Sequence, residues 1–420
     1  MTLLERMLKQ NPWWEGKEVE GIKDYKERFL IKEVAKYIHT PQIIAILGMR
    51  RTGKSVLLFQ IIRRLLARTP PKRIFYFSFD EILGKEPNIL EEAINIYEEQ
   101  ILKDDINNVH IFFDEINHIE NWQVVLKRFY DLRRNIKFFV SGSSSIYLKK
   151  TKESLAGRIY EFHLAPLGFQ EYLYLKNINI EDEVIQAPML KRELSKYFVS
   201  GTLPEIISES DFLKTKRYIN SIIDKVVFFD IPKVYDVNEP EILKMILSFV
   251  AQRPGMILEY QSLANSLKVT YQTISKYVDY LEKAYLIRLV YNFRGSPIAR
   301  ARKLKKAYLG SVNLVSGFLD SETELLEKLS LLAENIVCLF LDAQWFWKKY
   351  TELDFYHKNI AIEVKYTEGM PDIKNYILAA RYLKSKKVLV VTKDIEQIEK
   401  RGDIKVSYQP LWKFLLKPSF

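Results

Sequence analysis

The densest chemistry in the sequence lies in Gly48-Met49-Arg50-Arg51-Thr52-Gly53-Lys54-Ser55, between the apolar run Ile43-Ile44-Ala45-Ile46-Leu47 and a helical pattern that starts at Val56. Strand, glycine-rich turn, lysine, hydroxyl and helix in that order make a cradle for a nucleoside triphosphate. Gly48 and Gly53 let the backbone turn tightly enough for successive N–H groups, through Val56, to point at one anion, and the helix N-terminus adds its positive dipole. Lys54 is placed to reach the β- and γ-phosphates and Ser55 to ligate Mg2+. Downstream, Phe112-Phe113-Asp114-Glu115 ends an apolar run in two carboxylates. Asp114 is placed to orient the Mg2+ through its water shell, and Glu115 to polarise the attacking water. Ser143, in Ser141-Gly142-Ser143-Ser144-Ser145, can sense the γ-phosphate or that water by hydrogen bonding. Arg50 and Arg51 inside the loop, and Arg158 in Leu155-Ala156-Gly157-Arg158, are cations able to neutralise charge that develops during phosphoryl transfer. Arg158 would act in cis or, in a homo-oligomer, in trans.

These side chains need a sheet to hold them. Apolar strands are expected at Arg73–Phe79, Val109–Phe113, Ile136–Val140 and Tyr160–Leu164, alternating with helices near Ile89–Leu102 and Trp122–Arg133. That alternation predicts a parallel, doubly covered sheet with its ligand crevice beyond the strands' carboxyl ends, where all the polar clusters fall. The first forty residues, with Trp13-Trp14 and a helix expected over Tyr25–Ile38, would brace this domain or contribute to an adenine pocket.

Past about residue 190 the rhythm becomes helical, interrupted by Gly201-Thr202-Leu203-Pro204, as in a lid or connector. Three helical segments, Glu241–Ala251, Tyr260–Leu267 and Tyr271–Ala284, then precede a strand at Leu286–Phe293, the succession of a winged helix-turn-helix. Ile274, Val278, Leu281 and Tyr285 share one face of the third helix. Arg294, Arg300, Arg302, Lys303, Lys305 and Lys306 follow as a basic run without an acid. A long helix, Glu322–Leu341, leads to strands at Trp345–Tyr350, Leu353–His357 and Ile360–Tyr366, a helix near Ile373–Leu383 and a strand at Val388–Val391.

Of 420 residues 48% are apolar, enough for two or three packed domains, and the net charge of +11 favours an anionic macromolecule, nucleic acid ahead of a membrane surface. A single cysteine, Cys338, excludes an internal disulfide and any multi-cysteine metal site. No apolar stretch approaches the roughly 20 residues that cross a bilayer, and the N-terminus lacks a signal-peptide core, so a soluble cytoplasmic protein without membrane partners is expected.

The order of motifs resembles AAA-like P-loop ATPases of archaea and bacteria in which the nucleotide domain precedes a winged helix and a restriction-endonuclease-like region. The likeness rests on the cradle, Phe112-Phe113-Asp114-Glu115, Ser141-Gly142-Ser143, Leu155-Ala156-Gly157-Arg158, Gly201-Thr202-Leu203-Pro204-Glu205, Glu334-Asn335, Leu353-Asp354 and Ile362-Glu363-Val364-Lys365. It departs at Tyr308-Leu309-Gly310-Ser311, where similar proteins carry an aspartate. The resemblance implies an α/β fold: an AAA-like P-loop domain with its N-terminal extension over 1–190, a helical connector over 191–236, a winged helix over 237–310 and a PD-(D/E)xK nuclease-like domain over 311–420. It also implies ATP and Mg2+ as ligands. The terminal set looks like the active site of that nuclease fold. Glu334, Asp354 and Glu363 would share a Mg2+, and Lys365, on the same sheet face as Glu363, would support the pentavalent phosphate. The expected function is a DNA-associated ATPase, structure- rather than sequence-specific, with Mg2+-dependent nuclease or branched-DNA processing at its C-terminus. The alternative is a regulatory switch ATPase carrying a non-catalytic nuclease-like scaffold.

Overall fold

The computed structural model describes residues 2–17, 25–80, 88–132, 135–143, 155–293 and 304–418. The chain divides into two compact units, Met1–Ala165 and Pro166–Phe420.

In the first unit the strands are β1 (Ile43–Leu47), β2 (Ile74–Ser78), β3 (Val109–Asp114), β4 (Ile136–Gly142) and β5 (Ile159–His163). All pair in parallel, in the order β2-β3-β4-β1-β5. Every residue of β1 is buried, as an unbroken apolar run requires of a strand covered on both faces. Phe112 and Phe139 stack at 4.3 Å across β3 and β4, and the helix Lys54–Leu66 lays Leu57, Leu58, Ile61 and Ile62 onto the same core. The N-terminal segment braces the β2 edge. Asn11 exchanges two 2.7 Å bonds with the Tyr76 backbone as a strand would, and the Trp13 and Trp14 indoles donate to the Ile74 carbonyl. The helix expected over Tyr25–Ile38 is reduced to short turns, Ile31–Val34 and Ala35–Tyr37. Arg28, just before these turns, is engaged elsewhere: its guanidinium donates to the Thr52 and Ala165 carbonyls and its own N–H to Gln60 Oε1.

At the sheet's other end His110 lies in register with Lys137, whose ammonium donates to the carbonyls of Tyr37, Thr40 and Gln42 at 2.6–2.9 Å. His110 Nδ1 is buried with no hydrogen-bond partner in the described structure. Burial, with the His39 and Lys137 charges, pushes the imidazole down to about 4. The unfolded chain therefore binds the extra proton between about 6.5 and 4, and stability is lost as pH falls through that window. We expect about 2–3 kcal/mol of denaturant-measured stability to disappear there, and His110→Phe to flatten that part of the profile.

The second unit begins with helices Phe169–Leu175, Ala187–Ser200 and Phe212–Lys225. Three more, Pro240–Gln252, Tyr260–Leu267 and Tyr271–Lys283, pack with β6 (Met256–Ile257), β7 (Ile287–Asn292) and β8 (Lys305–Leu309). β8 pairs antiparallel with both β6 and β7. The sheet continues, in the order β10-β9-β7-β8-β6, through β9 (Trp345–Lys348) and β10 (Glu352–Leu353). A second sheet holds β11 (Phe355–His357), β12 (Ile360–Lys365), β13 (Lys387–Thr392), β14 (Gln397–Arg401) and β15 (Ile404–Pro410) in the order β11-β12-β13-β15-β14, with antiparallel edges and a parallel centre. Because β9 pairs with β7, Tyr291 against Trp345, a cut at 310/311 would divide one continuous sheet. The connector is tied in as well: Asn313 accepts from the Thr202 N–H at 2.7 Å and donates to the Phe198 carbonyl, and Ser311 shares a 2.6 Å bond with the Thr202 hydroxyl. The long helix expected over Glu322–Leu341 breaks at Lys328 into Glu322–Glu327 and Leu329–Phe340.

Candidate nucleotide site

The loop that follows β1 is set by backbone geometry before any side chain acts. Arg51 and Gly53 adopt φ of 67° and 93°, and Gly53 opens the helix Lys54–Leu66, leaving its first N–H groups facing the loop. A Cβ on Gly48 would lie 2.3 Å from the Leu164 carbonyl oxygen, so only glycine fits there. Thr52 is buried, and its hydroxyl donates to the Met49 carbonyl at 2.8 Å, closing the loop on itself. Val56 is half-buried at the start of the helix and Arg51 is exposed.

Lys54 is almost fully buried. Its ammonium donates to the Met49 carbonyl at 3.3 Å and stands 3.6 Å from Glu115 Oε1. Arg50 reaches to 4.0 Å from Asp80. At the end of β3 the two carboxylates are treated differently. Asp114 accepts from the Tyr76 hydroxyl at 2.8 Å, from the Ser141 hydroxyl and from Ser55. Burial, followed by the Glu115 charge, raises its pKa. Glu115 has φ of 49°, an uncommon conformation for a residue with a side chain, and its N–H donates to Ser141 Oγ at 3.0 Å. Burial works against its charge, but Lys54, His118 and Arg50, with a hydrogen bond from Ser143, outweigh that and hold it below the usual carboxylate range. Its Oε2 is buried without a hydrogen-bond partner among the described residues. Neighbouring carboxyls with opposed shifts are the pattern of a divided task, one group fixed and one free to take a proton.

Gly48, Met49, Arg50, Thr52, Gly53, Lys54, Ser55, Asp114, Glu115 and Ser143 thus surround one place at the carboxyl ends of β1, β3 and β4. Arg158 does not join them. Its carbonyl accepts from the Ile43 N–H at 2.8 Å, at the opposite end of β1, and its guanidinium pairs with Asp131 at 2.9 Å. This does not fit a role in cis at the phosphates, because Arg158 precedes β5 and lies at the amino-terminal edge of the sheet, away from the carboxyl ends that hold the loop. Ser144 and Ser145 lie outside the described residues. The sequence points to the serine cluster at the end of Phe138-Phe139-Val140 only as a candidate sensor and gives no role to Tyr76 or Arg28, and nothing in it ties Arg28 to a loop more than twenty residues away.

In the second unit Glu334, Asp354, Glu363 and Lys365 gather in one cluster. The Asp354 N–H donates to Glu363 Oε2 at 3.2 Å, the Val364 N–H to Asp354 Oδ2 at 3.0 Å, and Lys365 lies 2.8 Å from Glu363 Oε1. Burial and the Asp354 charge raise Glu334 to about 7 and Glu363 to about 8. The cluster also contains Lys306. Two members of the expected basic run therefore turn inward: Lys306 is buried among carboxylates, and Lys305 lies over the Tyr260 and Tyr291 rings. Arg294, Arg300, Arg302 and Lys303 fall outside the described residues. Among those described, no group of three or more His, Cys, Asp or Glu side chains is arranged to hold a metal ion, and no helix is long and apolar enough to cross a membrane.

Residues 40–173, which carry the parallel sheet, the glycine-rich loop that feeds a helix and the acidic pair two strands away, match the AAA domain family, and residues 191–324 match a domain of unknown function. An uncharacterized protein of Methanocaldococcus jannaschii is 31% identical over 67% of this chain, and the match spans 64% of that protein's length. A second uncharacterized protein of the same organism is 26% identical over 93% of this chain and 92% of its own. Among solved structures, the Aeropyrum pernix ORC1 protein in complex with DNA covers 76% of this chain and 96% of its own at 13% identity, with a TM-score of 0.31, too low to bear on activity.

Proposed function

We propose that the first unit binds ATP with Mg2+ and hydrolyses it, and that the second unit associates with DNA. The observation that carries the first part is Glu115 beside Lys54, held below the usual carboxylate range and with its buried Oε2 free of a hydrogen-bond partner among the described residues. Mg2+, when bound there, would neutralise phosphate charge, with Ser55 and Asp114 as its holders. The chain's own groups do the rest. The loop N–H groups and Lys54 orient the triphosphate, Ser141 fixes Glu115, and Glu115 accepts the proton of the attacking water.

The DNA part is supported by the net charge of +11 and by the three helices packed with the β6-β8-β7 sheet, an arrangement consistent with a winged helix. The helix Tyr271–Lys283 buries Ile274, Tyr277, Val278 and Leu281, leaving Gln272 and Lys276 exposed. Contacts of that kind are to phosphate and carry little sequence preference. The test is phosphate release with and without duplex DNA, combined with a salt titration of binding by fluorescence anisotropy. With about three phosphate contacts, affinity should fall roughly forty-fold between about 50 and about 200 mM salt. Salt-independent binding, or turnover indifferent to DNA, would favour the second reading, a regulatory ATPase whose nuclease-like region is a scaffold. The inward-turned Lys306 favours the scaffold half of that reading.

A further inference from the structure

We infer that the carboxylate cluster of the second unit is closed by the chain's own cation, Lys306, and takes no divalent metal, so that it ties strands together and does not hydrolyse phosphodiesters. The inference concerns this unit alone and is independent of what happens to ATP. A hydrolytic metal site needs several carboxylate oxygens free and convergent at about 2.0–2.6 Å from one point, with room for water in the remaining positions. Here that point is an ammonium. Lys306 Nζ lies 3.1 Å from Glu334 Oε1, 2.9 Å from Glu352 Oε1 and 3.3 Å from Asp354 Oδ1, distances of hydrogen bonding and not of coordination.

The Tyr308 hydroxyl donates to the same Glu334 oxygen at 2.6 Å, and the second oxygen of Asp354, Oδ2, accepts from the Val364 N–H. Glu363 uses one oxygen for the Asp354 N–H and the other for Lys365, while Glu352 is shared with Lys348 at 2.9 Å. Backbone closes the Glu334 side: Gly255, at φ +85°, comes so near that a Cβ there would lie 2.9 Å from Glu334 Oε1. Lys306 is only 3% exposed, so its ammonium cannot swing to water without leaving the largely buried Glu334 and Asp354 without their shared cation. What the arrangement does well is hold β8, the helix Leu329–Phe340, β10 and the start of β11 to a single charge.

Full-length protein without nucleotide is to be titrated with Mn2+ and followed by calorimetry and by thermal unfolding. The wild-type isotherm should contain no component that Asp354→Asn removes. Lys306→Met, which keeps length and deletes charge, should lower the melting temperature by on the order of 10 °C. Mn2+ should then restore part of that loss, and the restoration should vanish in Lys306→Met/Asp354→Asn. If Lys306→Met does not fold, the wild-type comparison decides by itself. A saturable Mn2+ site in the wild type that Asp354→Asn abolishes, or a folded Lys306→Met that gains no Mn2+ response, overturns the inference.

Discussion

Glu115→Gln is expected to bind ATP about as tightly as the wild type and to release phosphate roughly a hundred- to a thousandfold more slowly. The reason is the division of labour between two adjacent carboxyls. Asp114 is fixed in place: the hydroxyls of Tyr76, Ser141 and Ser55 all turn to it, and burial discourages its charge. Glu115 keeps its charge through Lys54, His118 and Arg50, yet one of its oxygens has no partner in the described structure. Only that oxygen can accept a proton from an incoming water. A glutamine preserves the volume and the bond from Ser143 but has no basic oxygen, so binding survives and the proton transfer does not. Steady-state phosphate release measured alongside equilibrium binding of a fluorescent ATP analogue separates the two. Unchanged turnover would remove Glu115 from the role.

The nucleotide domain was legible in the sequence because its signals are local. An unbroken apolar run makes a doubly covered strand, and glycine, lysine and hydroxyl at fixed spacing make a loop, so Gly48 to Ser55 and Asp114-Glu115 could be placed from spacing alone. Two kinds of contact were out of reach. Arg28 bonds to Thr52 and Ala165, partners that no periodicity reveals. The pairing of β9 with β7 joins stretches whose sequence rhythm differs, so one sheet runs across the change of rhythm at about residue 310. The basic run was read against a signal that was present. Successive side chains of a strand face opposite ways, so Lys305 and Lys306 could not both point to solvent from a covered sheet, and Lys306 shares its face with Tyr308. A lysine two residues from an aromatic on a strand bound for the interior calls for a buried carboxylate, and Glu334 and Asp354 supply it.

Lys54 carries two loads, and Lys54→Ala is expected to show both. With nucleotide, it loses two charge-assisted bonds to phosphate at about 1.5–3 kcal/mol each, so ATP affinity should drop by about a hundredfold or more. Without nucleotide, the ammonium is the nearest compensating charge to Glu115, 3.6 Å away, and both groups are withdrawn from water. Its removal leaves a buried carboxylate that the fold no longer favours, and the apo chain should lose on the order of 3 kcal/mol of stability. Lys54→Ala/Glu115→Gln should recover part of that loss while remaining unable to bind, a non-additivity that a double-mutant cycle by urea unfolding measures directly. The sign of the pH effect follows. In the wild type Glu115 is held low, so its contribution is present above the ordinary carboxyl value and is lost as pH falls through its folded value. In Lys54→Ala the same carboxyl should prefer its proton, and apo stability should instead decline as pH rises towards neutrality. Additive single-variant effects, or an unaltered slope with pH, would show that Lys54 and Glu115 are not paired in the free enzyme. ATP binding draws Lys54 to the phosphates and must weaken that pairing, so in the wild type the contribution of Lys54–Glu115 to stability belongs to the apo chain.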